Sequence, residues 1–412
     1  MRLLNLEIKR ILKSRYTVCI VLVAIVLSII LAYIPLVFFH CVNPSSDGPD
    51  YYTGIEALQE LKRIRKDIEG EITQEDIEET VRNYQMCMNS YGVRHEYELP
   101  IEGKREVAKL QFLYYRIREA YGPENGTAAD IMNLPTEGLA DFYLSVHTHL
   151  KNNMVLEQEN FPAAQENAIK MYSKVDIPFT YYVGINTSAI DYEGLLILMI
   201  LLCSTAIVAP VFSTEYQTGA DDILRCTRDG RRKLATIKIY SSIIISLGLC
   251  ILCLSLWGIM ILLIWGKPGM KTSIQILYSV ISLVNGNIGQ LIWMLGISGI
   301  IMIISSTCLT LFISSKVSKN MIALILSYVV CFLPMAIGWV LPNNIADYLK
   351  VIFPTGGIGL QNGILYDIID FKFLNIGSFS IWTPYLIILM AVLEIPLWIL
   401  LTIRSYSKHI SH

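Results

Sequence analysis

The sequence predicts an all-α, polytopic membrane protein with six transmembrane helices and a helical extracellular domain between spans 1 and 2. Of its 412 residues, 53% are apolar and 17% are charged, whereas a soluble domain has roughly 45–50% apolar and 25% charged residues. Six mostly apolar runs approach the roughly 20 residues that a helix needs to cross a bilayer. Composition therefore excludes a purely soluble enzyme, a secreted disulfide scaffold and a disordered chain.

The predicted elements begin with a cytoplasmic amphipathic helix over residues 1–17, where Leu4, Ile8 and Ile11 share an apolar stripe. The first span, 18–39, has an apolar core too long for a cleaved signal peptide, so we expect it to remain as an anchor. Residues 194–412 hold the other five spans, which are predicted at 195–212, 243–265, 291–313, 321–340 and 385–403. A shorter apolar run, 273–284, is predicted to be interfacial or re-entrant.

Basic residues are unevenly shared between the two sides of the predicted bilayer. Fifteen Lys and Arg residues lie at the two termini and in the loops after spans 2 and 4, whereas four lie in the short loops on the other side. Short loops rich in Lys and Arg face the cytoplasm. We therefore predict a multi-pass protein of a bacterial cell membrane, with both termini in the cytoplasm.

Residues 40–193 then form the extracellular domain. The chain between the two spans holds 26 acidic and 14 basic residues, which favours a solvated surface over the steering of cationic substrates. A capping box of Thr53 and Glu56 opens the domain, and no strand alternation is visible, so we expect a helical bundle. Two apolar stripes repeat at helical spacing: Ile77, Val81, Tyr84 and Met88, then Val107, Leu110, Tyr114 and Ile117.

Histidine and cysteine predict no metal site in this domain. His147 and His149 are two positions apart, so they point to different faces of a helix. His95 has no partner at ligand spacing, and surface histidines are the better interpretation of all three. Cys41 and Cys87 are the external cysteines and leave a disulfide open.

Motifs for catalysis and for direct ATP binding are absent from the sequence. It contains no G-x-x-x-x-G-K phosphate loop, G-x-S-x-G elbow, H-E-x-x-H helix or dinucleotide fingerprint. Cys250-x-x-Cys253 has the spacing of a redox pair but lies inside span 3, where we interpret it as packing. We predict a protein that is not an enzyme on its own and that binds no cofactor or metal.

The loop after span 2 predicts a short cytoplasmic helix over about residues 219–230. Thr218 with Asp221 fits a capping box, and Gly230 is a candidate C-cap. Charged side chains complement the helix dipole at its two ends: Asp221, Asp222, Arg225 and Arg228. The helix offers Ile223 and Leu224 to a soluble partner; the alternative is a solvated basic loop that only sets topology.

Three segments resemble the permeases of the type 2 family of ATP-binding-cassette (ABC) exporters. These segments are LEIKRILKSR before span 1, FSTEYQTGADDILRCTRDGRRKLATIKI after span 2 and IFPTGGIG before span 6. The residues that match the loop pattern of this family are Glu215, Tyr216, Gly219, Arg231, Arg232 and Lys238. Ala220 departs from it, since Thr is common there.

The resemblance implies one permease half of an exporter that pairs with a second half, either the same or a homologous chain. Cytosolic ABC ATPase subunits would hold ATP and Mg²⁺ and push on residues 220–228. The implied ATPase-coupling residues are Glu215, Tyr216, Gly219, Asp222, Ile223, Leu224, Arg225 and Arg228. Only some members have a large external domain, so the substrate, whether peptide, lipid, drug or ion, stays open.

Two further features are candidates for the transport path. Glu394 lies inside span 6 beside Pro396, where a carboxylate either lines the path or packs at the kink. The apolar, glycine-rich segment 342–382 predicts short re-entrant helices, with an outer gate formed by Pro354, Gly356 and Gly357 unless these are only turn residues. Two other functions stay open: an ion-coupled carrier, and a receptor or scaffold whose outer domain binds a ligand.

Overall fold

The computed structural model describes residues 2–43, 48–123, 127–226, 230–359 and 363–408. The chain is mostly helical, at 72%, as predicted. Its α-helices are α1 (Arg2–Leu12), α2 (Arg15–Val37), α3 (Gly54–Arg65), α4 (Gln74–Tyr91), α5 (Ile101–Val107), α6 (Gln111–Ala120), α7 (Phe142–Glu157), α8 (Pro162–Tyr172), α9 (Thr187–Val208), α10 (Pro210–Thr218), α11 (Ala220–Arg225), α12 (Arg232–Trp265), α13 (Ile274–Leu277), α14 (Ile288–Ser314), α15 (Asn320–Val340), α16 (Asn343–Ile352), α17 (Ile364–Ile369) and α18 (Thr383–Lys408). Its strands form three antiparallel pairs: β1 (His40–Val42) with β2 (Tyr51–Thr53), β3 (Gly70–Glu71) with β4 (Thr180–Tyr181), and β5 (Phe373–Ile376) with β6 (Phe379–Trp382).

Within the described residues, six helices are long and apolar enough to cross a membrane: α2, α9 continued by α10, α12, α14, α15 and α18. They pack into one bundle and alternate in direction along the chain. Large apolar side chains, such as Leu263, Ile325 and Trp339, point outward from the bundle, as expected for a lipid-facing surface. We call the end with α1, α10, α11 and the last turn of α18 the basic end, and the opposite end the domain end.

The second long helix starts earlier than the sequence suggests. It begins at Thr187 instead of at residue 195, and the Asn186 side chain caps it by accepting a hydrogen bond from the Ala189 amide at 3.0 Å. The hydropathy pattern did not include residues 187–194 in the span because they contain the acidic residues Asp191 and Glu193. Glu193 is 1% exposed, so the bundle buries a carboxylate that the predicted boundary left outside.

Helices α3 to α8 form the domain between α2 and α9. Both predicted apolar stripes are buried in its core, but the second is divided between α5 and α6. The domain is mainly helical, and it also contains two short antiparallel strand pairs that the sequence did not indicate, β1–β2 and β3–β4. Thr53 is the last residue of β2, and its hydroxyl makes no capping hydrogen bond, so the predicted capping box does not form.

The apolar run 273–284 lies against this domain. The Arg116 guanidinium donates to the carbonyl of Tyr278, the Glu119 carboxylate accepts from the Ser279 hydroxyl, and the Tyr172 hydroxyl donates to the Val280 carbonyl at 2.9 Å. Its one helical turn, α13, is largely buried and packs against α6. Packing under the domain therefore explains the apolar composition that suggested an interfacial or re-entrant piece.

His149 is buried, so the surface interpretation is wrong for this residue. It is 5% exposed, whereas its neighbour His147 is exposed. Burial lowers the pKa of His149 because the charged imidazole loses hydration, and the nearby Glu119 carboxylate opposes the shift. Cys41 and Cys87 are separate free thiols. Among the described residues, no cluster of His, Cys, Asp and Glu could hold a metal ion.

The segment before α18 contains α16, α17 and a β-hairpin, whereas the sequence predicted short helices only. The hairpin pairs Phe373 with Trp382 and Ile376 with Phe379. Gly377 occupies the first position of its two-residue turn with a φ of +62°, a conformation that favours glycine. The Gly-Ser pair between two apolar runs was the available hairpin signal.

Candidate functional site at the basic end

Helix α10 continues α9 across Pro210. The Ser314 side chain of α14 forms hydrogen bonds with the backbone groups around this proline. Pro210 opens α10. The Ser314 hydroxyl donates to the Ala209 carbonyl at 2.6 Å and accepts from the Phe212 and Ser213 amides at 3.1 and 3.2 Å. Since the first amides of a helix lack partners within it, Ser314 fixes where α10 begins.

Four charged side chains form an ionic cluster between three helices, defined by Glu7 and Arg10 of α1, Glu215 of α10 and Lys238 of α12; its centre, Lys238 with Glu215, is buried. The Lys238 ammonium lies 2.5 Å from the Glu215 carboxylate and 3.1 Å from that of Glu7. Arg10 lies 3.3 Å from Glu215 and 2.8 Å from Glu7. Each cation therefore contacts both carboxylates, and the cluster fastens α1 and α12 to α10.

Burial makes this cluster specific to one arrangement of the helices. Lys238 is fully buried and Glu215 is 4% exposed. The Lys238 ammonium also lies 5.9 Å from the centroid of the Phe212 ring, which contacts the Tyr406 ring of α18. A buried charge without its partner costs several kcal/mol, so α1, α10, α12 and α18 are held to one relative geometry.

The short helix after α10 is present, and it stands on a sharp turn. Gly219 adopts a φ of +68°, ends α10 and directly precedes α11. Ile223 is 75% exposed, Asp222 is exposed and Leu224 is half-buried. Of the two apolar side chains predicted to face a partner, Ile223 is therefore the more exposed.

The details of this helix differ from the prediction. Thr218 is the last residue of α10, and its hydroxyl donates back to the Thr214 carbonyl at 2.9 Å, so its capping box with Asp221 does not form. Helix α11 ends at Arg225, which leaves Gly230 too distant to cap it. The Arg225 side chain and the whole of Arg228 lie outside the described residues, so their predicted coupling role stays a prediction.

Tyr216 and Gln217 tie α10 to the connection between α14 and α15. The Tyr216 hydroxyl donates to the Ser315 carbonyl at 3.3 Å, and its ring stacks on Tyr406. The Gln217 side chain accepts from the amide of Asn320 at 3.4 Å. The sequence-predicted residues Glu215, Tyr216 and Gly219 thus lie together, with Glu215 and Tyr216 packed inward and Ile223 outward.

A seam of buried hydroxyl groups runs through the bundle above this cluster, and sequence reasoning missed it. Ser204, Ser246 and Thr307 form a triangle of hydrogen bonds of 2.6 to 3.2 Å, which joins α9, α12 and α14. Cys331 of α15 contacts Ser306 at 3.4 Å. The run Ser-Ser-Thr in span 4 was the available signal, because such hydroxyls join helices in apolar surroundings.

Glu394 lies at this seam. It is 7% exposed, and the Ser305 hydroxyl donates to it at 3.3 Å. Glu193, nearer the domain end, is also buried, and its Oε2 has no hydrogen-bond partner among the described residues. The bundle therefore encloses two carboxylates that no basic residue pairs with among the described ion pairs.

The predicted outer-gate residues reach from the domain end into the middle of the bundle, where Gly357 packs against Met302 of α14 and Ile387 of α18. Pro354, Gly356 and Gly357 are buried between α14, α15 and α18, and Thr355 donates to the Cys331 carbonyl at 3.1 Å. Gly356 and Gly357 are needed for close packing as well as for the turn: a Cβ on Gly356 would lie 1.9 Å from the Lys350 carbonyl oxygen.

A buried ion pair and a cavity accompany these glycines. Lys350 lies 2.5 Å from Asp367; burial raises the pKa of Asp367, and the Lys350 charge opposes this shift. A cavity of about 660 Å³ opens between this segment and α15, beside Gly356 and Trp339. The role of Pro354, Gly356 and Gly357 as an outer gate stays a prediction.

No protein-family model, characterised protein or solved structure matches this chain. The likeness to type 2 permeases therefore depends on the three sequence segments alone.

Proposed function

We propose that this chain is the membrane-spanning permease half of an ATP-driven exporter, with ATP and Mg²⁺ bound by a separate cytosolic ABC ATPase. In this proposal the basic end faces the cytoplasm, the domain lies outside the cell, and a second permease half completes the transporter. The observation that carries it is the short helix α11 with its exposed Ile223, joined through Gly219 to α10, which the ionic cluster holds on its two neighbours α1 and α12.

The geometry favours mechanical coupling through α11. A force on Ile223 reaches α10 after one turn of chain, and α10 is continuous with α9. Glu215 passes the displacement to α12 and α1 through Lys238 and Arg10, because separating these charges is costly. Coupling of this kind requires that the ATPase bind two arrangements of the bundle with different affinities.

Replacing Ile223 and Leu224 with Asp tests this contact. We expect the ATPase subunit to be lost from the purified complex, since an apolar anchor becomes two desolvated charges. The measurement is stoichiometry by mass spectrometry after affinity purification from membranes of the source organism. The matched control is Leu144→Asp on α7, where the leucine is 66% exposed at the domain end. Retention of the ATPase by the double variant, or its loss from the control, contradicts the proposal.

Glu394 and Glu193 favour a second candidate, an ion-coupled carrier, because buried carboxylates in spans serve as proton relays. Glu394→Gln separates the two functions. If the protein is an exporter with Glu394 on its path, we expect intact assembly and a several-fold change in ATP hydrolysis by the complex. The exposed Glu166→Gln serves as control. Unchanged hydrolysis removes Glu394 from the path; gradient-driven transport without any ATPase, lost in Glu394→Gln, selects the carrier.

A further inference from the structure

A cleft of about 850 Å³ in the domain between α2 and α9 has a charge opposite to that of its surroundings. The chain between the first two spans is acidic, with 26 acidic and 14 basic residues. Cations outnumber anions in the lining, which contains Arg65, Arg94, Lys104 and Arg118 against Glu96 and Asp130. A cationic lining within an acidic domain concentrates anions locally.

Arg65 is a buried, positioned cation in this lining. It is 8% exposed, and its guanidinium donates to the Tyr181 hydroxyl and to the Ala108 carbonyl, both at 3.0 Å. It also lies 5.1 Å from the centroid of the Phe112 ring. These contacts hold the guanidinium in place, and none of the three is with an acidic group.

Arg65 takes part in none of the ion pairs among the described residues, and its Nε has no hydrogen-bond partner there. A buried cation without an acidic partner is costly. Arg65 therefore lacks a negative partner among the described residues, and an anion bound in the cleft would supply one.

Aromatic rings form the other part of the lining. Tyr97 is 75% exposed and Tyr115 is 60% exposed, although both are large and partly apolar. His95 stacks on Tyr97, with ring centroids 5.3 Å apart and planes 10° from parallel. Exposed aromatic faces next to fixed cations suit a ligand with a flat or apolar body.

We propose that this cleft binds an anionic ligand with an aromatic or apolar body, whose carboxylate, sulfonate or phosphate group is held by Arg65 and the neighbouring cations. Guanidinium groups favour such oxyanions because several donors meet the same group. The inference concerns the domain alone, so it holds whether or not the bundle is driven by an ATPase.

Two probes of the same shape test the charge requirement: para-trifluoromethylbenzenesulfonate and the neutral para-trifluoromethylbenzenesulfonamide. Each is titrated into the full chain in lipid nanodiscs, and binding is read from the broadening of the fluorine NMR signal. We expect the sulfonate to bind at least about tenfold more tightly, as is typical of charge-assisted hydrogen bonds. Equal binding of the two probes, or no binding of either at millimolar concentration, overturns the proposal.

Variants locate the binding. Arg94→Gln with Lys104→Gln removes two cations of the lining outside the buried core, and we expect several-fold weaker sulfonate binding. Arg65→Met removes the buried cation, and we expect a loss of at least about tenfold. The control, Arg82→Gln, changes an exposed cation of α4 outside the cleft and leaves binding unchanged. Thermal melting checks that each variant is folded. If the folded Arg65 and Arg94/Lys104 variants bind the sulfonate as tightly as the unmodified chain, the proposed site is wrong.

Discussion

Lys238→Met is expected to destabilise the bundle by about 3 kcal/mol or more, because it leaves the buried Glu215 carboxylate and the half-buried Glu7 carboxylate with one remaining cation. Glu215 and Glu7 both contact Lys238, and after the substitution only Arg10 faces them. Arg10 is itself 44% exposed at its side chain, so water screens it more strongly. The measurement is the free energy of unfolding in mixed micelles, together with the ATPase content of the complex.

A second substitution shows whether the charge, and not the lost side-chain volume, causes the effect. Glu215→Gln added to Lys238→Met removes one uncompensated charge, so we expect part of the stability to return. Arg232→Met is the matched control, since Arg232 is an exposed cation in the first turn of the same helix. If Lys238→Met and Arg232→Met behave alike, the ionic cluster does not hold α1, α10 and α12 together.

Gly356→Ala is expected to prevent correct packing of the segment between α16 and α17. The added Cβ would lie 1.9 Å from the Lys350 carbonyl oxygen and 3.1 Å from that of Phe353. Both obstacles are backbone atoms, so no side-chain rotation relieves the clash. Overpacking costs about 1–3 kcal/mol where neighbours can shift, and we expect the upper end or beyond here, measured as unfolding free energy and folded yield.

Gly258→Ala is the control, because the same methyl group on α12 meets no atom within 4 Å. Alanine is the better helix former by about 1 kcal/mol, so we expect unchanged or slightly raised stability. Gly357→Ala lies between the two, since its closest neighbour is the flexible Met302 side chain at 2.7 Å. Equal stability of the Gly356 and Gly258 variants would contradict the close packing described for this segment.

Span positions were readable from sequence because a membrane-crossing helix needs about 20 apolar residues regardless of its neighbours. The stripes from Ile77 to Met88 and from Val107 to Ile117 were readable for a similar local reason, the helical repeat. Prediction failed where a distant partner decides the outcome. Thr53 is drawn into a strand with His40, so its predicted capping box does not form.

The candidate site shows the same division. Glu215, Tyr216 and Gly219 were predicted from a loop motif, and the helix after them covers Ala220–Arg225, which is shorter than the predicted 219–230 and lacks the predicted Thr218 cap. Glu7 and Arg10 were assigned to an amphipathic stripe, and sequence spacing gave no sign that they meet Lys238. The Ser-Ser-Thr run in span 4 hinted at the hydroxyl triangle, but the sequence could not show that Thr307 meets Ser204 and Ser246, which come from two other helices.

The sequence by itself determined the number of long apolar helices, the segregation of basic residues to one end and the position of the short helix after span 2. Composition and local periodicity carry that information, because each depends on residues near one another in the chain. Only the tertiary structure decided which charges pair inside the bundle, which carboxylates stay unpaired and which cations meet in the cleft of the domain. Those outcomes depend on distances between side chains that are tens to hundreds of residues apart, and only packing sets such distances.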